Sequence, residues 1–168
     1  LPNKAHIKLS ELERIGKLKA VVTQNIDGLH QAAGSKKVYE LHGSVLRNYC
    51  MKCNRFYDAD FIRKCSGIPR CTCGGIIKPD VVLYQEGLSD SVINGAVTSI
   101  KEADLLIVGG TSLNVYPAAG LIKYRSKDCF LLLINLTETP ADSFADMVIH
   151  DSIGKIMGCL LYTSPSPR

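Results

Sequence analysis

Gln24-Asn25-Ile26-Asp27-Gly28-Leu29-His30, followed by His42-Gly43, are the residues whose types and order point most directly at chemistry. The first stretch bends away from a short apolar segment, Lys19 to Thr23, and offers amide and carboxylate groups to a bound ring. An imidazole titrates close to neutral pH, so His42 could take a proton during a reaction. Each piece alone has a plainer reading. Asn, Asp and Gly after a strand make an ordinary turn, and a His-Gly pair is commonly a satisfied loop histidine. A cysteine pair just beyond shifts the balance toward a functional site.

Those cysteines form two tight sets, Cys50-Met51-Lys52-Cys53 and Cys71-Thr72-Cys73. Four thiolates suit a tetrahedral zinc ion, and short spacers let paired sulfurs share one metal. Gly74-Gly75 allows the tight turn that such a knuckle needs. The second pair is Cys-x-Cys, so either Cys71 or Cys65 could complete the set, and the reading favours Cys71. With all four positions filled by protein the zinc would be structural. Cys129, in or beside an apolar run, reads as a small core residue.

The elements that must position these groups follow from periodicity. Ala5, Ile7, Leu9, Leu12 and Ile15 lie at helical spacing, with Gly16 as a stop. Lys19 to Thr23 reads as a strand, Leu46 to Pro79 as an inserted module, and Val81 to Tyr84 as extended chain. Ser89 or Asp90 caps a predicted helix running to about Ala103. Leu105 to Val108 is an apolar run that predicts a strand buried on both faces. Pro117 is expected to open a helix to about Tyr124, with further strands at Phe130 to Asn135 and Met147 to His150. Strands alternating with helices predict an α/β fold with a Rossmann-like parallel sheet. Ligands of such sheets bind beyond the carboxyl ends of the strands. Gln24 to Asp27, Gly110 to Ser112 and Asn135 to Thr137 are the polar clusters expected there. The predicted division is residues 1–45 and 80–158 as a partial Rossmann-like nucleotide-binding domain, 46–79 as a zinc-binding module, and 159–168 as a tail.

The 168 residues are 46% hydrophobic, enough for one sizeable core and a small appended module. The net charge of +4 is mild and scattered, which argues against nucleic-acid binding. Apolar stretches fall short of the roughly 20 residues that cross a bilayer, so no membrane partner is expected. Paired cysteines without a secretion signal favour metal over disulfides and a reducing, cytoplasmic setting.

The stretch from Val22 to Cys53 resembles the sirtuins, NAD-dependent protein lysine deacylases, and the wording is most similar to bacterial members. The resemblance continues through Ile77 to Tyr84, Gly110 to Ala119 and Ile134-Asn135, so it covers most of the chain. It implies that acyl-lysine proteins are the partners and NAD the co-substrate. The acyl group would pass to ADP-ribose as nicotinamide leaves. His42 would be the general base. Asn25, counted with it as catalytic, would line the nicotinamide pocket with Ile26 and Asp27, and Gln24 would meet the adjacent ribose. Gly110, Thr111 and Ser112 would face the phosphates and adenosine, Asn135 the adenosine ribose and Ser152 the adenine. Val82 and Val115 would offer backbone contacts to the acyl-lysine, and Tyr84 would stand against the acyl tunnel.

The family opens with a glycine-rich loop that wraps the pyrophosphate, and this chain starts at Leu1 without one. The expectation is therefore a chain truncated at its N-terminus that binds NAD poorly. Ser164-Pro165-Ser166-Pro167 cannot continue a helix, and residues 159–168 are expected to be non-native or disordered. Two other readings stay open: a protein mono-ADP-ribosyltransferase, and an inactive zinc-stabilised binding module. His6 is expected to be structural, while His30 and His150 have no evident partner in the sequence.

Overall fold

A computed structural model describes residues 1–83, 85–116 and 118–160. They fall into two compact units. One comprises Leu1–Val21, Leu29–Lys37 and the chain from Ala96 onward, and the other Val22–Gly28 and Val38–Gly95.

The first unit is built on three parallel strands in the order β6-β7-β8 (Leu105–Gly109, Phe130–Ile134 and Met147–Ile149). The numbering follows chain order, with β1 to β5 introduced below. Leu131, Leu133 and Ile134 are the best buried side chains of β7, as suits a strand flanked on both sides. One face carries Leu106, Val108, Leu131, Leu133 and Val148 against Ile122 and Ala141. The opposite face carries Ile107, Leu132 and Ile134 against the helices α1 (Lys4–Arg14) and α5 (Ile153–Gly158) through Ala5, Leu9, Leu12, Ile153, Ile156 and Met157. Successive β7 residues thus feed two different cores, as a period of two requires.

Helix α1 begins at a cap that the sequence reading missed. The Asn3 side chain accepts the amides of Ala5 (2.9 Å) and His6 (3.2 Å), and the Asn3 N–H donates to His6 Nδ1 at 3.2 Å. Gly16 follows the helix at φ +73°, in the region glycine adopts without strain. His30 lies in the short α2 (Leu29–Ala32) and packs its ring on that of His6, 4.6 Å between centroids.

Several expectations change here. The β6 strand is not buried on both faces: it is half-buried, with Leu105 46% exposed, because among the described residues it pairs with β7 alone. The segment Ala118–Tyr124 is a 3-10 helix rather than an α-helix, and Pro117 lies outside the described residues. The strand β1 (Val21–Thr23) pairs with β2 (Val38–Glu40) as a separate two-stranded sheet.

The second unit contains an antiparallel sheet in the order β4-β3-β5 (Phe56–Asp58, Gly43–Cys50 and Ile77–Val81). Its pairing shifts register between Ser44 and Asn48, so Ser44 faces Asp80 while Asn48 faces the neighbouring Pro79. That bulge hides the strand period, which is why β3 was not legible in the sequence. Asn48, 2% exposed, spans the irregularity, its Nδ2 donating to the carbonyls of Val45 (3.3 Å) and Tyr57 (3.4 Å). The unit also holds α3 (Ala59–Lys64), capped by the Asp58 carboxylate on the Phe61 amide. The helix α4 (Asp90–Lys101) begins at its end and buries Ala96, Ser99 and Ile100 farther on. Among the described residues no helix is long and apolar enough to cross a membrane.

Candidate functional site

The polar turn after β1 is tied through the carbonyls of Thr23, Gln24 and Ile26 to the segment that carries His42. The Leu41 amide donates to the Thr23 carbonyl at 2.9 Å and the Val45 amide to the Ile26 carbonyl at 3.0 Å. The Asn25 amide donates to Thr23 Oγ1 at 3.1 Å. Ser44, 1% exposed, turns its hydroxyl toward the Ile26 carbonyl at 3.5 Å. Gly28 sits at φ +68°, and a Cβ there would fall 2.4 Å from Leu46 Cδ1. The structure therefore brings Gln24, Asn25, Ile26 and Asp27 together with His42.

His42 is half-buried, and its Nδ1 lies 3.1 Å from the Gln24 carbonyl oxygen. A carbonyl only accepts, so Nδ1 bears a proton, and in the neutral ring the lone pair then lies on Nε2. The next peptide is equally constrained. The His42 carbonyl accepts the Val82 N–H at 3.1 Å. Gly43 has φ +76°, and a Cβ there would lie 1.9 Å from the Asp80 carbonyl oxygen. Only glycine allows β3 and β5 to meet this closely beside the histidine. Tyr84 lies outside the described residues.

At the far end of β3 the sulfur atoms of Cys50, Cys53, Cys71 and Cys73 all lie within 4.8 Å of one another. Cys50 and Cys73 are 3.4 Å apart, and Cys53 and Cys71 3.5 Å. A tetrahedral zinc with bonds near 2.3 Å would space its sulfurs about 3.8 Å apart, so the donor set and its size fit that ion. Cys65 is outside the cluster, its thiol on the Phe61 carbonyl. Backbone N–H donation from Cys73, then the Tyr57 hydroxyl 3.0 Å from Cys71 Sγ, hold the Cys71 thiol down to about 5. An Arg55 backbone contact works against it, but Cys73, Cys71 and Cys50 push the Cys53 thiol up to about 12. Negative charge is thus favoured on Cys71, while Cys53 holds a proton that a metal would displace.

In the first unit, the parallel register sets Gly109 opposite Ile134, so Gly110 and Asn135 leave the sheet side by side. Gly110 has φ +65° and donates its N–H to the Ile134 carbonyl at 3.2 Å. Thr111 Oγ1 accepts the Leu113 amide at 3.2 Å, and Ser112 between them is exposed. Asn135 Nδ2 donates to the Thr137 carbonyl at 2.8 Å. His150, at the same edge, bonds Asp142 through Nε2 (3.2 Å) and the Asn135 carbonyl through Nδ1 (3.4 Å). It has the partners that the sequence did not reveal. Ser152 precedes α5 as its N-cap, with no side-chain capping bond. Val115 is exposed, and its carbonyl accepts the Ala119 N–H at 3.0 Å.

Glu40, Ser44, Arg47, Asn48 and Asp80 lie in stretches that carry the resemblance, but the sequence assigned none of them a role. Their association depends on the bulge in β3, which leaves no mark on spacing.

A parallel edge rich in glycine and polar groups, together with a four-cysteine cluster, defines an α/β protein with a module compatible with zinc. The chain belongs to the Sir2 family, whose model matches residues 1–117. It is 66% identical over 158 residues to an NAD-dependent protein deacetylase of Clostridium perfringens (strain 13 / Type A), covering 94% of this chain and 65% of that protein. A protein of the same name from Clostridium acetobutylicum is 62% identical over 158 residues, covering 93% and 64%. The chain thus spans slightly under two thirds of the length of these relatives. A solved Sir2–p53 peptide–NAD+ complex superposes with a TM-score of 0.87 at 42% identity, covering 93% of this chain and 67% of that one. A Sir2 complex with the inhibitor EX-527, 2'-O-acetyl-ADP-ribose and deacetylated p53 peptide gives 0.85 at 40%, covering 93% and 68%.

Proposed function

We propose that the chain works as an NAD-dependent protein lysine deacetylase, passing the acyl group to ADP-ribose and releasing nicotinamide. The observation that carries this is the Nδ1 contact of His42 with the Gln24 carbonyl at 3.1 Å. It leaves Nε2 as a proton acceptor on an imidazole held by the very turn that bears Asn25, Ile26 and Asp27. The relatives named as deacetylases and the NAD and peptide complexes of similar proteins support the same reading.

In the reaction, the acyl-lysine oxygen bonds to the ribose carbon as the bond to nicotinamide breaks. His42 then takes a proton from the neighbouring ribose hydroxyl, whose oxygen attacks the imidate carbon. Addition of water and loss of the amine release lysine and acylated ADP-ribose. Asn25, Ile26 and Asp27 orient the nicotinamide, and Gln24 the ribose. Gly110, Thr111, Ser112, Asn135 and Ser152 receive the rest of the dinucleotide. The acyl-lysine roles that the resemblance implies for Val82, Val115 and Tyr84, the last outside the described residues, belong to this reading. Cys50, Cys53, Cys71 and Cys73 would hold zinc, which would supply a structural cross-link and no open position for bond making. Residues 46–79 form the zinc module, and 1–45 with 80–158 the NAD-binding part. The partners are acyl-lysine proteins in the cytoplasm, not nucleic acid or membrane.

The test is nicotinamide release from NAD by the purified chain with an acetyl-lysine peptide, beside His42→Ala. With NAD raised high enough to offset weak binding, release that needs the peptide and is lost in His42→Ala is expected. Transfer of ADP-ribose to protein without deacylation would replace this reading by mono-ADP-ribosylation, and absence of turnover would leave a binding module.

A further inference from the structure

Arg47 lies where β3 shifts register against β5, and its guanidinium holds carboxylates from two other strands. Nη1 donates to Glu40 Oε2 at 2.7 Å, and Nε donates to Asp80 Oδ2 at 2.9 Å. Glu40 ends β2, just before Leu41-His42, and Asp80 lies in β5, just before Val81-Val82. Between these two carboxylates runs the Val82 N–H···His42 carbonyl bond of 3.1 Å. The segments carrying the histidine and Val82 are thus joined twice, once through backbone and once through one guanidinium.

The two arms differ in environment. The Glu40 side chain is 8% exposed and that of Asp80 45%. A carboxylate as buried as Glu40 is costly without its partner, so that arm supports folding. An exposed pair such as Arg47–Asp80 adds little stability. What it supplies is geometry, since a planar fork with donors in fixed directions can hold two acceptors at a set separation and an ammonium cannot. We infer that Arg47 is a positioning residue that sets the His42 segment in register with the strand leading to Val82. Its part in turnover rests on the deacetylase reading above.

Asp80→Asn and Arg47→Lys test this through amide exchange and through kinetics of nicotinamide release at saturating NAD. Asp80→Asn removes the charge of the exposed arm and leaves a weaker amide acceptor there, so it is expected to fold as the parent does. It should speed Val82 amide exchange about tenfold while the Leu41 amide, bonded to Thr23, keeps the parent's rate. The KM for an acetyl-lysine peptide should rise about tenfold with kcat within about twofold. Arg47→Lys, which can serve one carboxylate at a time, should show the same change in Val82 exchange and also lower kcat by about 10- to 100-fold. Unchanged Val82 exchange and unchanged peptide KM in Asp80→Asn would overturn the inference. So would equal acceleration at Leu41 and Val82, which marks general loosening. If the parent releases no nicotinamide, the deacetylase reading fails, and Val82 exchange in Asp80→Asn alone then decides whether Arg47 positions this strand.

Discussion

The two units of this chain hold their polar groups in place by opposite means. Gly110 and Asn135 stand on a parallel sheet whose central strand is sunk in apolar side chains, with Leu131, Leu133 and Ile134 on its two faces. His42 and the Gln24–Asp27 turn belong to a unit whose buried positions include Ser44, Asn48, Cys50 and Cys71. Hydrophobic burial is non-directional and tolerates small shifts. Hydrogen bonds and sulfur ligands are directional, and they fail abruptly when one partner is lost. The base proposed at His42 would gain more from the second kind of support.

Metal removal is expected to give the largest effect, because structural zinc sites contribute apparent free energies of about 10–16 kcal/mol. Chelation should abolish amide protection across β3, β4 and β5 while β6, β7 and β8 keep theirs. Equal loss in both units would erase the contrast. Leu131→Ala attacks the other unit. A fully buried leucine should cost about 2–5 kcal/mol in urea unfolding followed at β7 amides, with bound zinc unchanged.

Gly43→Ala would place a Cβ 1.9 Å from the Asp80 carbonyl oxygen at φ +76°. Backbone strain alone costs about 1–3 kcal/mol. NMR should show the Val82–His42 bond lost with zinc still bound. Asn3→Ala should cost about 1 kcal/mol of thermal stability through the lost cap on α1, without changing the His42 resonances.

The smallest effect is electrostatic. Hydrogen bonding from the Thr139 hydroxyl (2.5 Å), then the Thr139 backbone, outweighs desolvation and holds the Asp142 carboxyl below its ordinary value. A depressed value means stabilisation that is complete above the unfolded-state pKa and is lost as pH falls through the folded one. Acid titration of the first unit should therefore show a loss below the usual Asp range that Asp142→Asn removes, and the zinc-bearing unit should not share that difference.

How legible each unit was follows from the same contrast. The Gln24–Asp27 turn, His42 and the four cysteines could be read because their chemistry is written in residue type and local spacing. Parallel strands β6 and β7 could be read because both are plain apolar runs, though only β7 is well buried. Arg47 could not be read, since its partners Glu40 and Asp80 come from separate strands and meet it only through the shifted register of β3. Ser44 and Asn48 look like surface residues in sequence and are buried because they satisfy backbone carbonyls. The missed Asn3 cap is a simpler case. Its box uses His6 where Glu or Gln is the usual signal.

The bulge between Ser44 and Asn48 also bears on how this strand can change length over generations. In a regular strand, gaining or losing one residue turns every later side chain to the opposite face. Here such a change could be absorbed at Val45 and Leu46, which are both exposed. The histidine end and the sulfur end of β3 are free to drift apart by small insertions, provided that Arg47 still reaches both of its carboxylates.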